Sequence, residues 1–407
     1  MNINSEIAKT YIISNKKLTA VAVMGVLLGM SVYIFMNSLL VGFDRSSNKS
    51  IFRNTAHIRI FKDDQISHAL VSNQNEIYLI NNPKVIPQKN TILNPNQVIE
   101  TVSKYPEVLV ASPQVNTNVF YNNGKSQIPG QCAGVLPEEA NLMFDIQSFT
   151  VEGNISLLKS NPNGIVIGNG VSEKMNLSLG DILNLTSSKG VNRSFKIVGI
   201  FKTNNSIVDK SKSYINLAAA QQLLLEGNSY ITDINVNIEN PENAKNIAEK
   251  LTQLIGYKAE GWKESNETLM AANKMRKIVI TFVSLTILLV AGFGIYNILN
   301  MTVSQKINDI AILKAMGFKG KDVIRIFVTQ AISIGIMGVI GGVIMAILII
   351  TLVKNIYIGG DIGYFPIDYE GKKFLQGIII GLIITFFAGY MPAKKAANVD
   401  PVDILRK

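Results

Sequence analysis

The residue types that perform acid–base, metal or thiol chemistry are scarce in this chain. His57 and His68 are its only histidines and Cys132 its only cysteine. One cysteine excludes an intrachain disulfide and any C-x-x-C redox or zinc motif. A His-rich metal site or a Ser–His–Asp relay would have to use His57 or His68. His57 falls in the alternating run Ala56-His57-Ile58-Arg59-Ile60, which reads as a strand with the ring at a surface position. The chain also lacks G-x-x-x-x-G-K-[ST], the loop whose backbone amides and lysine cradle nucleotide phosphates. No catalytic, cofactor or metal residue is therefore assigned. What remains is a chemistry of contact. In the segment 306–317, Ile307, Ile310, Ala311 and Lys314 share one helical face, and Gly317 is placed to end the helix. A short, basic, amphipathic helix of this kind docks in a partner's groove or lies on anionic headgroups, and periodicity alone favours neither.

Hydropathy shows what must hold that segment. The chain is 47% hydrophobic, with the excess in blocks at 18–40, 278–303, 326–353 and 374–391. Each is long enough to cross roughly 30 Å of hydrocarbon. The first has too long an apolar core for a signal peptide, and Asn37-Ser38-Leu39-Leu40-Val41 offers no small-x-small cleavage site, so it is expected to remain as an anchor. Much of the net charge of +10 flags the block ends, and aromatic-rich basic patches are missing, which argues against nucleic acid.

Lys9, Lys16 and Lys17 precede the first block. Lys306, Lys314, Lys319, Lys321 and Arg325 lie between the second and third, and Lys394, Lys395, Arg406 and Lys407 follow the fourth. Between the third and fourth, Lys354, Lys372 and Lys373 are offset by Asp361, Asp368 and Glu370. The positive-inside rule then puts the N-terminal segment 1–17, the loop 304–325 and the tail 392–407 in the cytoplasm, and the loop 354–373 outside. The region 41–277 is translocated. Glycine pairs at i, i+4 (Gly25 and Gly29, Gly338 and Gly342, Gly377 and Gly381) mark places for close helix approach, and Asn297 and Asn300 are expected to bond across helices or reach headgroups.

The large external region reads as mixed α/β. A strand at Ala56–Phe61, a helix opened by Asn94-Pro95 with Val98, Ile99 and Val102 as its stripe, and a strand Val108–Val119 broken at Pro113 make one half. A strand Thr232–Ile238, a helix opened by Asn240-Pro241, and a strand Tyr257–Gly261 make another. The second helix sets Ala244, Ile247, Ala248, Leu251, Leu254 and Ile255 on one face. Two such halves suggest a ferredoxin-like module with a β-rich insertion at about 120–225. The whole domain covers 41–261, and 262–277 is expected to be a helical stalk continuous with the second span. The fold class expected is an α+β membrane protein, four transmembrane helices plus one large α/β domain between the first two.

Certain residues resemble a known family. Lys306-Ile307-Asn308-Asp309-Ile310-Ala311-Ile312-Leu313-Lys314-Ala315-Met316-Gly317, with Asp322-Val323-Ile324-Arg325-Ile326-Phe327, resembles the K-x-x-E/D-I-A-I-L-R/K-x-x-G loop signature of the MacB/FtsX superfamily of ABC transporter permeases. Pro392-Ala393 and Val399-Asp400-Pro401-Val402-Asp403-Ile404-Leu405-Arg406 resemble the ending of that superfamily. Pro106–Val115, Gly164–Gly180, Phe195–Phe201 and Val41-Gly42-Phe43 look most like the lipoprotein-releasing (Lol-type, LolC/LolE) permeases.

The resemblance implies an inner-membrane subunit with a periplasmic domain, working beside a second permease chain, identical or different. It would act with a dimer of a LolD-like cytoplasmic ATPase, which binds the ATP and magnesium that this chain does not. It also implies that the loop face docks the ATPase, giving Ile307, Asp309, Ile310, Ala311, Leu313, Lys314, Met316 and Gly317 as coupling residues. The cargo would be a lipoprotein, extracted from lipid by mechanotransmission, with engagement of a periplasmic lipoprotein carrier or an outer-membrane tunnel left open. The outer ends of the first two spans, with Met36, Leu40, Phe43, Met275 and Ile278, are where an apolar cargo cavity is expected. Alternatives on the same fold are a MacB-like exporter of peptide, drug or glycolipid and an FtsX-like activator of a cell-wall hydrolase. One departure stands out: where carrier-recruiting Lol permeases insert a proline-containing hook, this chain has only Ser187-Ser188-Lys189-Gly190-Val191-Asn192-Arg193, expected to be a tight hairpin.

Overall fold

A computed structural model describes residues 3–63, 65–66, 85–86, 90–203, 205–359 and 363–405; His68 lies outside them. The chain divides into two compact units, Met1–Ser46 with Ala271–Lys407, and Ser47–Met270.

The first unit is helical because its sequence leaves the backbone no other partner in hydrocarbon. The four apolar blocks become helices Lys16–Phe52, Glu267–Gln305, Gly320–Lys354 and Gly371–Ala397, hereafter the first to fourth spans, each long and apolar enough to cross a membrane. The first two outrun their apolar blocks: Lys16–Phe52 has 37 residues and Glu267–Gln305 has 39. Glycine sets their packing. A Cβ on Gly338 would lie 2.5 Å from Val26 Cβ, and one on Gly342 2.7 Å from Met30 Cβ, so the third span lies directly on the first. Gly29 approaches Ala291 of the second span in the same way, at 2.7 Å. Gly377 meets Tyr33 and Gly381 faces Val339, whereas Gly25 meets nothing within 4 Å.

The second unit is built on one ten-stranded sheet. Four of its strands are Ile58–Phe61, Val108–Asn123, Asp233–Ile238 and Lys258–Gly261. They lie side by side in the order Lys258–Gly261, Ile58–Phe61, Asp233–Ile238, Val108–Asn123, each antiparallel to its neighbour. Helices Pro95–Ser103 and Ala244–Ile255 follow the first and third of these in chain order. Alternation explains the register: Ile58, Ile60, Ile234, Val236 and Ile238 are fully buried and share one cluster with Val102, Ile247 and Leu251 of the helices.

The expected break at Pro113 is absent. Val108–Asn123 runs unbroken, pairing with Asp233–Ile238 through its first half and with Ser126–Val135 from Gln114 onward. Gln114 O accepts from Thr232 N at 3.1 Å, so the preceding proline turns its ring nitrogen to the edge where the second pairing has not yet begun. The same strand also pairs with Ile182–Ser187. The inserted strands are thereby zipped onto one continuous sheet. Gly164–Gly168 is buried at all five positions between its parallel and antiparallel partners. The aromatic rings of Phe149, Phe201 and Tyr214 pack in a second core beside it.

The two Asn-Pro starts, alike in sequence, differ in geometry. Asn240 caps a 3-10 turn Pro241–Asn243 by accepting from Glu242 N at 3.0 Å. Asn94 instead adopts the left-handed conformation, φ 48°, and its side chain makes no cap bond. On the second helix Leu254 also departs from the expected stripe and is exposed. These two asparagines should respond unequally to serine. Asn240→Ser keeps a cap and should leave stability within a few tenths of a kcal/mol. Asn94→Ser loses the residue type that tolerates φ > 0 and should cost about 1 kcal/mol. Trp262, the only tryptophan, is buried in this core and donates to Pro241 O at 2.9 Å, so its emission in chemical unfolding of the full chain reads the difference.

Candidate docking and membrane sites

The loop signature folds as a nine-residue helix, Ile307–Ala315. Lys306 Nζ reaches Asp309 Oδ2 at 3.0 Å across its first turn. Gly317 ends it in a conformation with φ +99°, donating to Lys314 O at 3.1 Å, while Phe318 N donates to Leu313 O.

The face expected to meet a partner points the other way. Ile310 and Ala311 are buried at 1% and 0% exposure. They pack with Ala8, Tyr11, Val323, Phe327, Ala393 and Ala396 of this same chain. Lys314 is turned inward too: its ammonium donates to Ala397 O at 3.0 Å and Val399 O at 2.6 Å, satisfying carbonyls at the end of the fourth span. Ile310, Ala311 and Lys314 thus fasten the helix to the bundle. Ile307, Asp309 and Leu313 are half-buried, and Asn308, Ile312, Ala315, Met316 and Gly317 are exposed.

Part of what covers the inner face was missed in the sequence. Ile3–Ser14 forms a helix whose Ala8 and Tyr11 are buried in that cluster. Asn4 Nδ2 donates to Asp322 Oδ1 at 3.5 Å, the Tyr11 ring packs at a tilt against Phe327 with centroids 5.9 Å apart, and Lys306 Nζ lies 5.6 Å from the Tyr11 ring centroid. Burial, aided by the Asp309 charge, pushes the Tyr11 hydroxyl above its ordinary pKa. The signal was available: Ile3, Ile7, Ala8, Tyr11 and Ile12 follow helical spacing. The tail contributes a short helix, Pro401–Leu405, with Asp400 Oδ1 accepting from Val402 N at 2.9 Å.

At the opposite end of the bundle the expected cargo residues are not gathered round one cavity. Leu40 is buried, Met36 is half-buried, and Met275 and Ile278 face outward at 64% and 55% exposure. Phe43 lies under the Arg276 guanidinium, 4.8 Å from its ring centroid, and Arg276 also reaches Asp44 at 3.5 Å. This contact ties Phe43 and Asp44 of the first span to Arg276 of the second, where an opening was expected. Beside it Gly42 lets the loop after the third span approach, since a Cβ there would lie 2.3 Å from Pro366 O. Arg45 pairs with Asp368 of that loop, and Lys354 stands 3.8 Å from the same carboxylate. Hydrogen bonding to Arg45 holds the Asp368 carboxyl below its usual range.

Apolar concavities occur elsewhere on the bundle. One of ≈ 320 Å³ lies between the second and fourth spans, lined by Leu289, Phe293, Tyr296, Phe387 and Met391. Another of ≈ 300 Å³, lined by Ile336, Val343, Ile378 and Leu382, lies between the third and fourth.

In the second unit the segment Ser187–Asn192 is a tight hairpin. Strands Ile182–Ser187 and Asn192–Phe201 pair directly, Ser187 N donates to Val191 O at 2.9 Å, and Gly190 takes φ +79°. His57 sits at the rim of the sheet, its Nδ1 3.0 Å from Ile238 O, with burial pulling its pKa down. Among the described residues no group of His, Cys, Asp and Glu is arranged to hold a metal ion.

Four apolar helices, a large mixed-sheet domain between the first and second, and a glycine-ended helix between the second and third define a class. Residues 19–254 match the MacB-like periplasmic core domain, and residues 281–401 match the FtsX-like permease C-terminal domain. The chain belongs to the MacB/FtsX family of ABC transporter permeases and is a membrane protein. It is similar to the lipoprotein-releasing system transmembrane protein LolC of Xylella fastidiosa (strain 9a5c), 21% identical, over 95% of this chain and 92% of that one. It is likewise similar to LolE of Haemophilus influenzae, 22% identical over 94% and 92% of the two chains. The macrolide export ATP-binding/permease protein MacB of Psychrobacter arcticus is 22% identical over 76% of this chain but only 48% of its own length.

Proposed function

We propose that this chain is the membrane subunit of an ATP-driven complex that extracts lipoproteins from the inner membrane, the ATP and magnesium being bound by a separate cytoplasmic ATPase dimer. The observation that carries this reading is the end-to-end likeness to LolC and LolE, which spans more than nine-tenths of both chains. The likeness to MacB, a protein whose name includes ATP binding, covers only half of that protein. In this reading both termini and the helix Ile307–Ala315 are cytoplasmic, the charge asymmetry of the loops being the support. The domain between the first two spans is periplasmic, and its four antiparallel strands with two helices support a ferredoxin-like porter part.

The ATPase contact is assigned to the outward side of the short helix, Asn308, Ile312, Ala315 and Met316, with Gly317 beyond it. Ile310, Ala311 and Lys314 support that surface from behind. A second permease chain completes the unit. Cargo release requires mechanical work, because an acyl chain gains about 0.8 kcal/mol per buried methylene. The tight hairpin at Ser187–Asn192 favours a route in which this chain does not itself recruit a soluble carrier.

Depletion in cells tests the reading. Mature lipoproteins are expected to accumulate in the inner-membrane fraction, while normal sorting to the outer membrane would leave export of another cargo or activation of a cell-wall hydrolase in its place.

A further inference from the structure

Alternation along a strand puts every second residue on one face, and residues paired in register share that face. In the second unit this rule gives three adjacent strands a polar row. Asn118 of Val108–Asn123 stands opposite Gln131 of Ser126–Val135, and Gln131 stands opposite Lys212 of Lys212–Asn216. In the next row on that face Ala133 lies between Asn116 and Tyr214. The small Ala133 keeps that row low. A cavity of ≈ 490 Å³ opens over it, within the usual size of a small-molecule site, and Phe144 and Asn54 contribute to its wall.

Part of this polar lining is held in place by its own hydrogen bonds. Asn235 Nδ2 donates to Gln114 Oε1 at 2.7 Å, Gln114 Nε2 to Asn116 Oδ1 at 2.6 Å, and Asn116 Nδ2 to Asp233 Oδ2 at 2.7 Å. The Arg59 guanidinium pairs with the same carboxylate, so the two charges offset each other. Other groups stay free. Among the described residues the exposed side chains of Asn118 and Gln131 form no hydrogen bond. Asn54 Nδ2 donates to Ser50 O at 3.1 Å, which leaves its enclosed Oδ1 without a donor. Lys212 meets rings: its ammonium lies 4.9 Å from the Tyr214 centroid and 5.8 Å from that of Phe144. Among the described residues it forms no ion pair, and no Asp or Glu lines the cavity.

Carboxamides both donate and accept, as sugar hydroxyls do, so several of them together suit a ligand bearing several hydroxyls. One unpaired ammonium among them calls for one anionic group. A peptide fits less well. It binds a sheet by adding a strand at a free edge, and the three strands beneath this cavity are each paired on both sides. We propose that the cavity binds an acidic monosaccharide, its carboxylate on Lys212 and its hydroxyls on Gln131, Asn118 and Asn54 Oδ1. The site goes beyond the permease reading and lies wholly in the second unit, so a failed lipoprotein assay leaves it standing.

The test uses the full chain in lipid nanodiscs and isothermal titration calorimetry. Glucuronate or galacturonate should bind, glucose at least about tenfold more weakly, and acetate not measurably. Lys212→Met should erase the advantage of the acid over glucose. The double substitution Asn118→Ala with Gln131→Ala should weaken both sugars roughly tenfold. Lys125→Met, at an exposed hairpin tip, should change neither. Trp262 emission and melting temperature verify that each variant is folded. Failure of both uronates to bind, acetate binding as tight as theirs, tighter binding of alanylalanine, or unchanged uronate affinity in folded Lys212→Met or the double variant would each overturn the proposal.

Discussion

Ile310→Asp should cost on the order of 4 kcal/mol and leave little folded protein after detergent extraction. The position is 1% exposed and enclosed by Tyr11, Val323, Phe327 and the alanines of the fourth span's end. A carboxylate there loses its water without gaining a designed partner, and an uncompensated buried charge costs about 3–5 kcal/mol. Ile312→Asp, two residues on and 48% exposed, is the matched comparison. It should shift stability by no more than about 0.5 kcal/mol, as ordinary surface changes do, while abolishing stimulation of ATPase activity. Size-exclusion profiles after a heat step, with ATPase assays on whatever survives, separate the two. Equal survival of both variants would contradict the placement of the inner face, and full ATPase coupling in Ile312→Asp would remove the outer one from the docking surface.

Gly338→Leu is the second large effect. The first Cβ atom alone would stand 2.5 Å from Val26 Cβ and 3.2 Å from Val23 O, and the latter belongs to a helix backbone that cannot rotate away. Overpacking by a methylene or two costs about 1–3 kcal/mol, so a full isobutyl group should exceed about 3 kcal/mol by forcing the third span off the first. Gly25→Leu, at a position with open space, should leave the fold of a single chain intact. The apparent melting temperature in detergent of the two variants should therefore diverge sharply. Similar losses in both would mean that the first and third spans do not pack through Gly338.

The legible parts were those set by composition and period. Four apolar blocks made four long helices, and alternation at Ile58 and Ile60 or at Ile234, Val236 and Ile238 placed the core face of the sheet. The loop helix shows where such reading stops. Periodicity correctly grouped Ile310 with Ala311, but an apolar stripe does not say what covers it. Here the chain's own first helix and the end of its fourth span do so, leaving Ile312 and Met316 outward. The residues at the other end of the bundle show the same limit. Met275 and Leu40 are both apolar, yet one faces outward and the other inward, and only tertiary packing distinguishes them. Pro113 illustrates the converse: a breaker by composition is harmless where its missing amide hydrogen faces an unpaired edge.

Trypsin will find little to cut where the two units join. Ser46 and Ser47 sit inside helix Lys16–Phe52, and Met270 and Ala271 inside helix Glu267–Gln305. A protease must draw several residues of extended strand into its cleft, and coiled backbone resists that, so Lys49 and Lys274 should be spared while exposed loops elsewhere are nicked. Digestion will not liberate Ser47–Met270 as an intact fragment.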